Sequence, residues 1–146
     1  MSESLVPFFR PSISDEEIAE VTKCLRSGWL TTGPNSSAFE TEFAEALSGE
    51  VTALAVTSAT AALHLAVDAL GIGQGDEVIV PTLTFTATAE VVQYQGAKPI
   101  FVDIDPDTLC LSLQATEAAI TPFTKAIIAV HFAGRPCDLT ALRTLA

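Results

Sequence analysis

Thr57-Ser58-Ala59-Thr60 is the stretch whose residue types and spacing best suit chemistry. An apolar run, residues 51–56, leads straight into it, and a helical pattern over residues 60–70 leaves it. Free backbone N–H groups at the start of a helix, aided by the helix dipole, suit a phosphate dianion. Ala59 is small enough for close approach, and Ser58 and Thr60 each bring a hydroxyl. The competing reading is that Thr57 or Ser58 only caps the helix. A second joint, PTLTFTATAE at residues 81–90, sets Phe85 among four threonines just past a strand-like run. An aromatic at such a strand end can stack on a planar ring. It can equally be an ordinary core residue.

Other polar residues carry weaker signals. His131 closes the run AIIAVH, where a hydrogen-bonded structural histidine competes with a functional one. His64 sits within a nearly all-apolar helix. Arg10 and Arg135 stand nearest to loops, and each has the fork that grips a phosphate or carboxylate, or simply faces water. Cys24, Cys110 and Cys137 are scattered, with no CxxC pair, so neither a zinc site nor a disulfide framework is expected. DIDPDT, residues 103–108, spaces its carboxylates like a calcium loop but lacks the turn glycine and the closing glutamate. GIGQGD, residues 71–76, looks like a dinucleotide fingerprint. It follows a helix and leads into a strand, the reverse of that motif, and reads as a helix stop and turn.

These residues need a scaffold, and the chain supplies one. Its 146 residues suffice for a sizeable core, and 49% hydrophobic against 17% charged residues marks a globular chain. A net charge of −11 excludes a nucleic-acid binder and a basic membrane patch. The apolar window 51–72 is interrupted by Thr52, Thr57, Ser58, Thr60, His64 and Asp68, so it does not read as a membrane span. MSESLVPFFRPS does not have the pattern of a signal peptide. Ser14 with Glu17 forms a capping box; Ile18, Val21 and Leu25 follow on one helical face, and Gly28 stops the helix. After the loop GWLTTGP, a second helix starts near Ser36 or Ser37, with Phe39, Phe43 and Leu47 on one face.

From there strands and helices alternate. Strands are expected at 51–56, 77–80, 99–104 and 126–131, and helices at 60–70, 85–95, 112–120 and from Asp138 onward. The strands are continuous apolar runs, as in sheets covered on both faces. The fold class is therefore α/β with a mostly parallel sheet. Its ligand sites belong at the carboxyl ends of the strands. The last helix runs to Ala146 without a terminating signal, which reads as a sequence cut inside an element.

The blocks SGWLTTGP, TSATAALHLAVDALGIGQGDEVIVPTLTFTATAE, GAKPIFVDIDPDTL and ITPFTKAIIAVHFAGRPCDL resemble the N-terminal part of the DegT/StrS nucleotide-sugar aminotransferases. The likeness runs from about Val6 to the last residue. It implies the aspartate-aminotransferase-like fold (PLP fold type I), pyridoxal 5'-phosphate as cofactor, and a cytoplasmic homodimer. Residues 1–35 would form an N-terminal helix with an active-site loop, and residues 36–146 the first part of the cofactor-binding large domain. Ser58, Ala59 and Thr60 match the turn that holds the cofactor phosphate, and Phe85 matches the aromatic that stacks on its ring. Thr31 and Thr32 match a loop close to the substrate. The implied reaction moves an amino group from glutamate, leaving 2-oxoglutarate, to a 4-keto nucleotide sugar. ITPFTKAIIAVHFAG and the SATA turn resemble most the branch that uses a UDP-4-keto-pentose for lipid A or other cell-envelope polysaccharide.

The resemblance also places the Schiff-base lysine and the pyridinium aspartate beyond Ala146, so no catalytic residue is assigned within the chain. Lys23, Lys98 and Lys125 match neither position. The 146 residues alone are expected to be inactive and to leave apolar faces and strand edges bare. A family dehydratase with histidine in place of the lysine shares this half of the sequence. A standalone phosphate-ligand-binding module and a truncated gene product are the remaining readings.

Overall fold

The computed structural model of the protein describes residues 10–146. The expectations for the opening residues, namely the missing signal peptide, the start of the resemblance at Val6 and the beginning of the 1–35 segment, lie outside them. Two compact units are present, Met1–Ala55 and Val56–Ala146.

In the first unit, α1 (Asp15–Ser27) carries the expected capping box, with the Ser14 N–H donating to Glu17 Oε2 at 2.5 Å. Gly28 ends it at φ 78°, a left-handed conformation that glycine adopts without a Cβ penalty. Ile18, Val21 and Leu25 do share a face, but it is exposed rather than buried. Helix α2 (Pro34–Ala46) starts ahead of Ser36. Pro34 opens it because a first-turn residue needs no N–H partner and proline's φ is already helical. Phe39 and Phe43 meet along one side, ring centroids 5.8 Å apart.

The strand expected at 51–56 does not form. The segment runs without ladder partners among the described residues; its Ala55 N–H donates instead to Glu40 Oε1 at 2.8 Å. An apolar run becomes a strand only when a neighbour supplies the ladder, and Leu54 stays 73% exposed.

The second unit holds the sheet. Its elements are α3 (Ala59–Ala69), β1 (Glu77–Pro81), α4 (Ala87–Tyr94), β2 (Lys98–Val102), α5 (Leu113–Ala119), β3 (Thr124–Ile127) and α6 (Leu139–Leu145). The strands are all parallel in the order β2-β1-β3, with Ile79 opposite Ile100 on one side and Ile127 on the other. Successive side chains of β1 point to opposite faces. Val78 and Val80 enter one core with Val67 of α3 and Val91 and Val92 of α4. Ile79 enters the other with Val102, Cys110, Leu111, Cys137 and Leu142. Double coverage explains why β1 reads as an unbroken apolar run.

Helices α5 and α6 start where polar caps dictate: Ser112 Oγ accepts from the Ala115 N–H at 3.3 Å, and Asp138 Oδ1 from the Ala141 N–H at 2.9 Å. β3 ends at Ile127, short of the expected His131, although the Ile128 N–H still donates to the Ile79 carbonyl at 2.9 Å. Gly71 (φ 68°) stops α3 inside GIGQGD. DIDPDT is a turn: Asp105 Oδ1 accepts from the N–H groups of Asp107 and Thr108 at 3.0 and 2.9 Å, and Arg135 Nη1 donates to the Asp107 carbonyl. Among the described residues no His, Cys, Asp and Glu cluster could hold a metal, and no helix is long and apolar enough to cross a membrane.

The Thr108 N–H is the main cause of a lowered Asp105 pKa, with smaller help from Arg135. A group whose folded pKa is depressed stabilises the fold above its unfolded pKa and loses that contribution as pH falls through the folded value. Carboxyl-detected NMR is expected to show Asp105 titrating below the ordinary aspartate range, with the Asp107 and Thr108 amide signals moving in step.

Candidate functional site

The Thr57–Thr60 turn folds as its composition dictates. Ser58 is extended (φ −159°, ψ 158°) and its Oγ accepts from the Ala61 N–H at 3.1 Å. The Ser58 carbonyl takes the Ala62 N–H at 3.1 Å. Ser58 is thus the cap that the plainer reading required, yet it uses only one of the early donors. The Ala59 and Thr60 N–H groups belong to the first turn and have no intrahelical acceptor. Ser58 and Ala59 are exposed and Thr60 is half-buried. No side chain of residues 57–60 is charged. The result is an open helix N-terminus with two spare donors, a hydroxyl on Thr60 and no bulk at Ala59. That chemistry fits a phosphate.

Phe85 occupies the joint between β1 and α4, at the carboxyl end of the central strand. Helix α4 begins at Ala87, two residues later than expected, which leaves Phe85 outside it. Phe85 is 76% exposed among the described residues and enters neither core of the sheet. The chain around it is held from below. The Thr82 N–H donates to the Val102 carbonyl at 2.9 Å, and Thr82 Oγ1 lies 3.4 Å from Asp103 Oδ1. An exposed aromatic on a fixed strand end, in the same unit as an open helix N-terminus, can offer a face to a planar ligand.

The other candidates divide. His131 lies beyond β3, and its Nδ1 accepts from the Cys137 N–H at 2.9 Å. That bond assigns the proton to Nε2 and gives the ring a structural task. Cys137 Sγ donates to the Val130 carbonyl at 2.8 Å. Burial, then contact with the Cys110 thiol, pushes the Cys137 thiol up, which makes it a poor nucleophile. His64 is half-buried in α3 and meets the Tyr94 ring edge-on at 5.4 Å. Arg135 is engaged with the 103–108 turn, whereas Arg10 is exposed. Lys98 pairs with Glu77 at 3.4 Å where β1 and β2 begin, the opposite end of the strands from Phe85. Lys23 pairs with Glu20 on α1, and Lys125 is exposed.

Thr31 and Thr32 are exposed in the first unit. There a cavity of about 240 Å³ is lined by Cys24, Trp29, Leu30, Thr31, Pro34 and Asn35 among others. Thr31 lines it and Thr32 does not. One feature escaped the sequence reading: Thr84 and Thr88, noted there only as two of the four threonines around Phe85, join hydroxyl to hydroxyl at 2.7 Å. Their spacing of four was the available signal.

Residues 11–146 match the DegT/DnrJ/EryC1/StrS aminotransferase family. The chain belongs to that family. Spr1654 of Streptococcus pneumoniae, assigned as a sugar aminotransferase and solved in apo, PLP and PMP forms, is 43% identical. Its PMP form superposes with a TM-score of 0.87 over 96% of this chain and 35% of the relative. S. venezuelae DesV is 42% identical, with a TM-score of 0.83 over 90% of this chain and 35% of its own. NtdA of Bacillus subtilis, solved with PMP, is 37% identical, with a TM-score of 0.82 over 92% and 32%. The chain therefore spans about a third of the length of these relatives, and it has their α/β fold with a parallel sheet.

Proposed function

We propose that the chain is the N-terminal part of an enzyme that uses pyridoxal 5'-phosphate to move an amino group from glutamate to a 4-keto nucleotide sugar. The open N-terminus of α3, in a chain of this family, carries the reading. The Ala59 and Thr60 N–H groups and the hydroxyls of Ser58 and Thr60 would hold the cofactor phosphate. The ring of Phe85 would lie on the cofactor ring. When bound, the cofactor supplies an electron sink for the carbon that loses or gains the amino group. Residues 57–60 and Phe85 do no proton transfer; they anchor and orient. The lysine and aspartate that complete the chemistry belong to the part of the family's length that this chain does not span. Thr31 and Thr32 would face the sugar.

The finer reading is a UDP-4-keto-pentose acceptor, serving lipid A or another cell-envelope polysaccharide, in a cytoplasmic homodimer whose large domain begins near residue 36. The wording of ITPFTKAIIAVHFAG supports that branch. The full-length protein, given glutamate and the UDP-4-keto-pentose, is expected to release 2-oxoglutarate and an amino sugar in equal amounts. Consumption of the sugar with no 2-oxoglutarate would favour the dehydratase. No turnover, with cofactor still bound, would leave a binding module.

Phe85→Ala tests the stacking role. Aromatic stacking contributes about 1 kcal/mol beyond area burial. Calorimetric titration of the full-length protein with pyridoxal phosphate is expected to show about fivefold weaker binding. The 76% exposure of Phe85 means that the fold itself loses little, so the apo melting temperature should hold.

A further inference from the structure

An exposed ring has few neighbours to aim it. Phe85 must take its direction from its own backbone, and two observations show what grips that backbone. Its carbonyl accepts the Thr88 N–H at 3.0 Å. The residue before it, Thr84, bonds through Oγ1 to Thr88 Oγ1 at 2.7 Å. Thr88 is 5% exposed on the buried face of α4, between Ala87 and the core residues Val91 and Val92. The local cap is absent as well: Thr86, the N-cap, makes no side-chain bond to the helix. The hydroxyl pair instead links the side chains that bracket Phe85 on both sides in sequence.

We propose that Thr84 and Thr88 are positioning residues that aim Phe85 at the cofactor ring by tying the strand end to the first turn of α4. The inference rests on the stacking role assigned to Phe85 above. A valine in either place would keep the shape and remove the tie. It would also leave the surviving hydroxyl without its partner in a partly buried place. A structural role alone predicts lost stability. An aiming role predicts, in addition, a weaker and looser cofactor in a protein that still folds.

The experiment is a double-mutant cycle in the full-length protein with pyridoxal phosphate as the probe. It reads affinity, the induced circular dichroism of the bound chromophore, and the apo melting temperature. T88V is expected to weaken binding by about threefold to fivefold, no more than the loss of the ring it aims, and to shrink the dichroism. T84V should match it, and T88S, which keeps the hydroxyl, should restore both signals to within about twofold. In an F85A background T88V should have no further effect on affinity, because the ring it aims is gone. If T88V fails to fold, T84V decides alone.

Affinity and dichroism unchanged in the valine variants, while F85A still weakens binding, would overturn the positioning role and keep the stacking role. An F85A protein that binds as tightly as the unaltered one would remove the stacking role, and the positioning role with it. A T88V effect that persists undiminished in the F85A background would show that the pair acts by another route, and would also overturn the proposal.

Discussion

Ala59→Glu is expected to abolish useful binding of pyridoxal phosphate while leaving the protein at least as well folded. The two effects separate because the same charge meets two different partners. Position 59 is the first residue of α3 and is exposed, so a glutamate there fits without repacking. A carboxylate in the first turn of a helix gains about 0.3–1 kcal/mol from the dipole, which offsets the helix propensity lost with alanine. The phosphate meets the carboxylate as a like charge. At about 4 Å two unit charges repel by roughly 1 kcal/mol in water and about 4 kcal/mol near a protein surface. A dianion doubles the lower figure, so binding should fall by at least about thirtyfold. The thermal shift that excess cofactor gives the unaltered protein should disappear with it. Pyridoxal, which lacks the phosphate, is the control: its weak binding should be nearly the same in both proteins. Ser58→Ala should behave in the opposite way on stability, losing about 1 kcal/mol with the cap that Ser58 gives to the Ala61 N–H. Undiminished binding of pyridoxal phosphate by A59E would place the phosphate somewhere other than this turn.

How much of this was legible follows from which forces are local. The start of α1, the turn at Ser58 and the helix starts at Ser112 and Asp138 depend on a side chain reaching a backbone N–H two or three residues away. Sequence carries that information, and each start falls within a residue of its expected place. The parallel sheet was legible from the apolar runs, because β1 contributes to a core on each face. The segment 51–56 was misread because a strand needs a partner, and a partner's distance along the chain leaves no local mark. The exposure of the face that Ile18, Val21 and Leu25 share was not legible for the same reason: periodicity says which residues share a face, not what covers it. Phe85 was left open between core and site because an aromatic among threonines has no local signature of exposure. The family resemblance reached the same two joints as the chemistry of residues 57–60 and 85, and it added the cofactor that the residues by themselves could not specify.

Ile79→Ala is expected to be the most damaging single change for stability. Ile79 is fully buried at the middle of the central strand. Its side chain enters a core shared with Val102, Leu111, Cys137 and Leu142, drawn from β2, α6 and the loops that lead into the helices. Its backbone pairs with Ile100 and Ile127, and its carbonyl takes the Ile128 N–H. Those bonds survive the substitution, so the loss is a cavity and the missing contacts around it. Truncating a buried isoleucine to alanine costs about 2–5 kcal/mol, and a site walled by strands on both sides cannot collapse far. The upper half of that range is expected in urea unfolding of the full-length protein. Leu70→Ala is the matched comparison: Leu70 is 68% exposed at the end of α3, and a change there should fall within about 0.5 kcal/mol of neutral. A small loss at both positions would mean that β1 is not the spine of the fold. A loss at Leu70 as large as that at Ile79 would mean that the bare end of α3 is a buried surface in the full-length protein, covered by residues that follow in the family's longer chain.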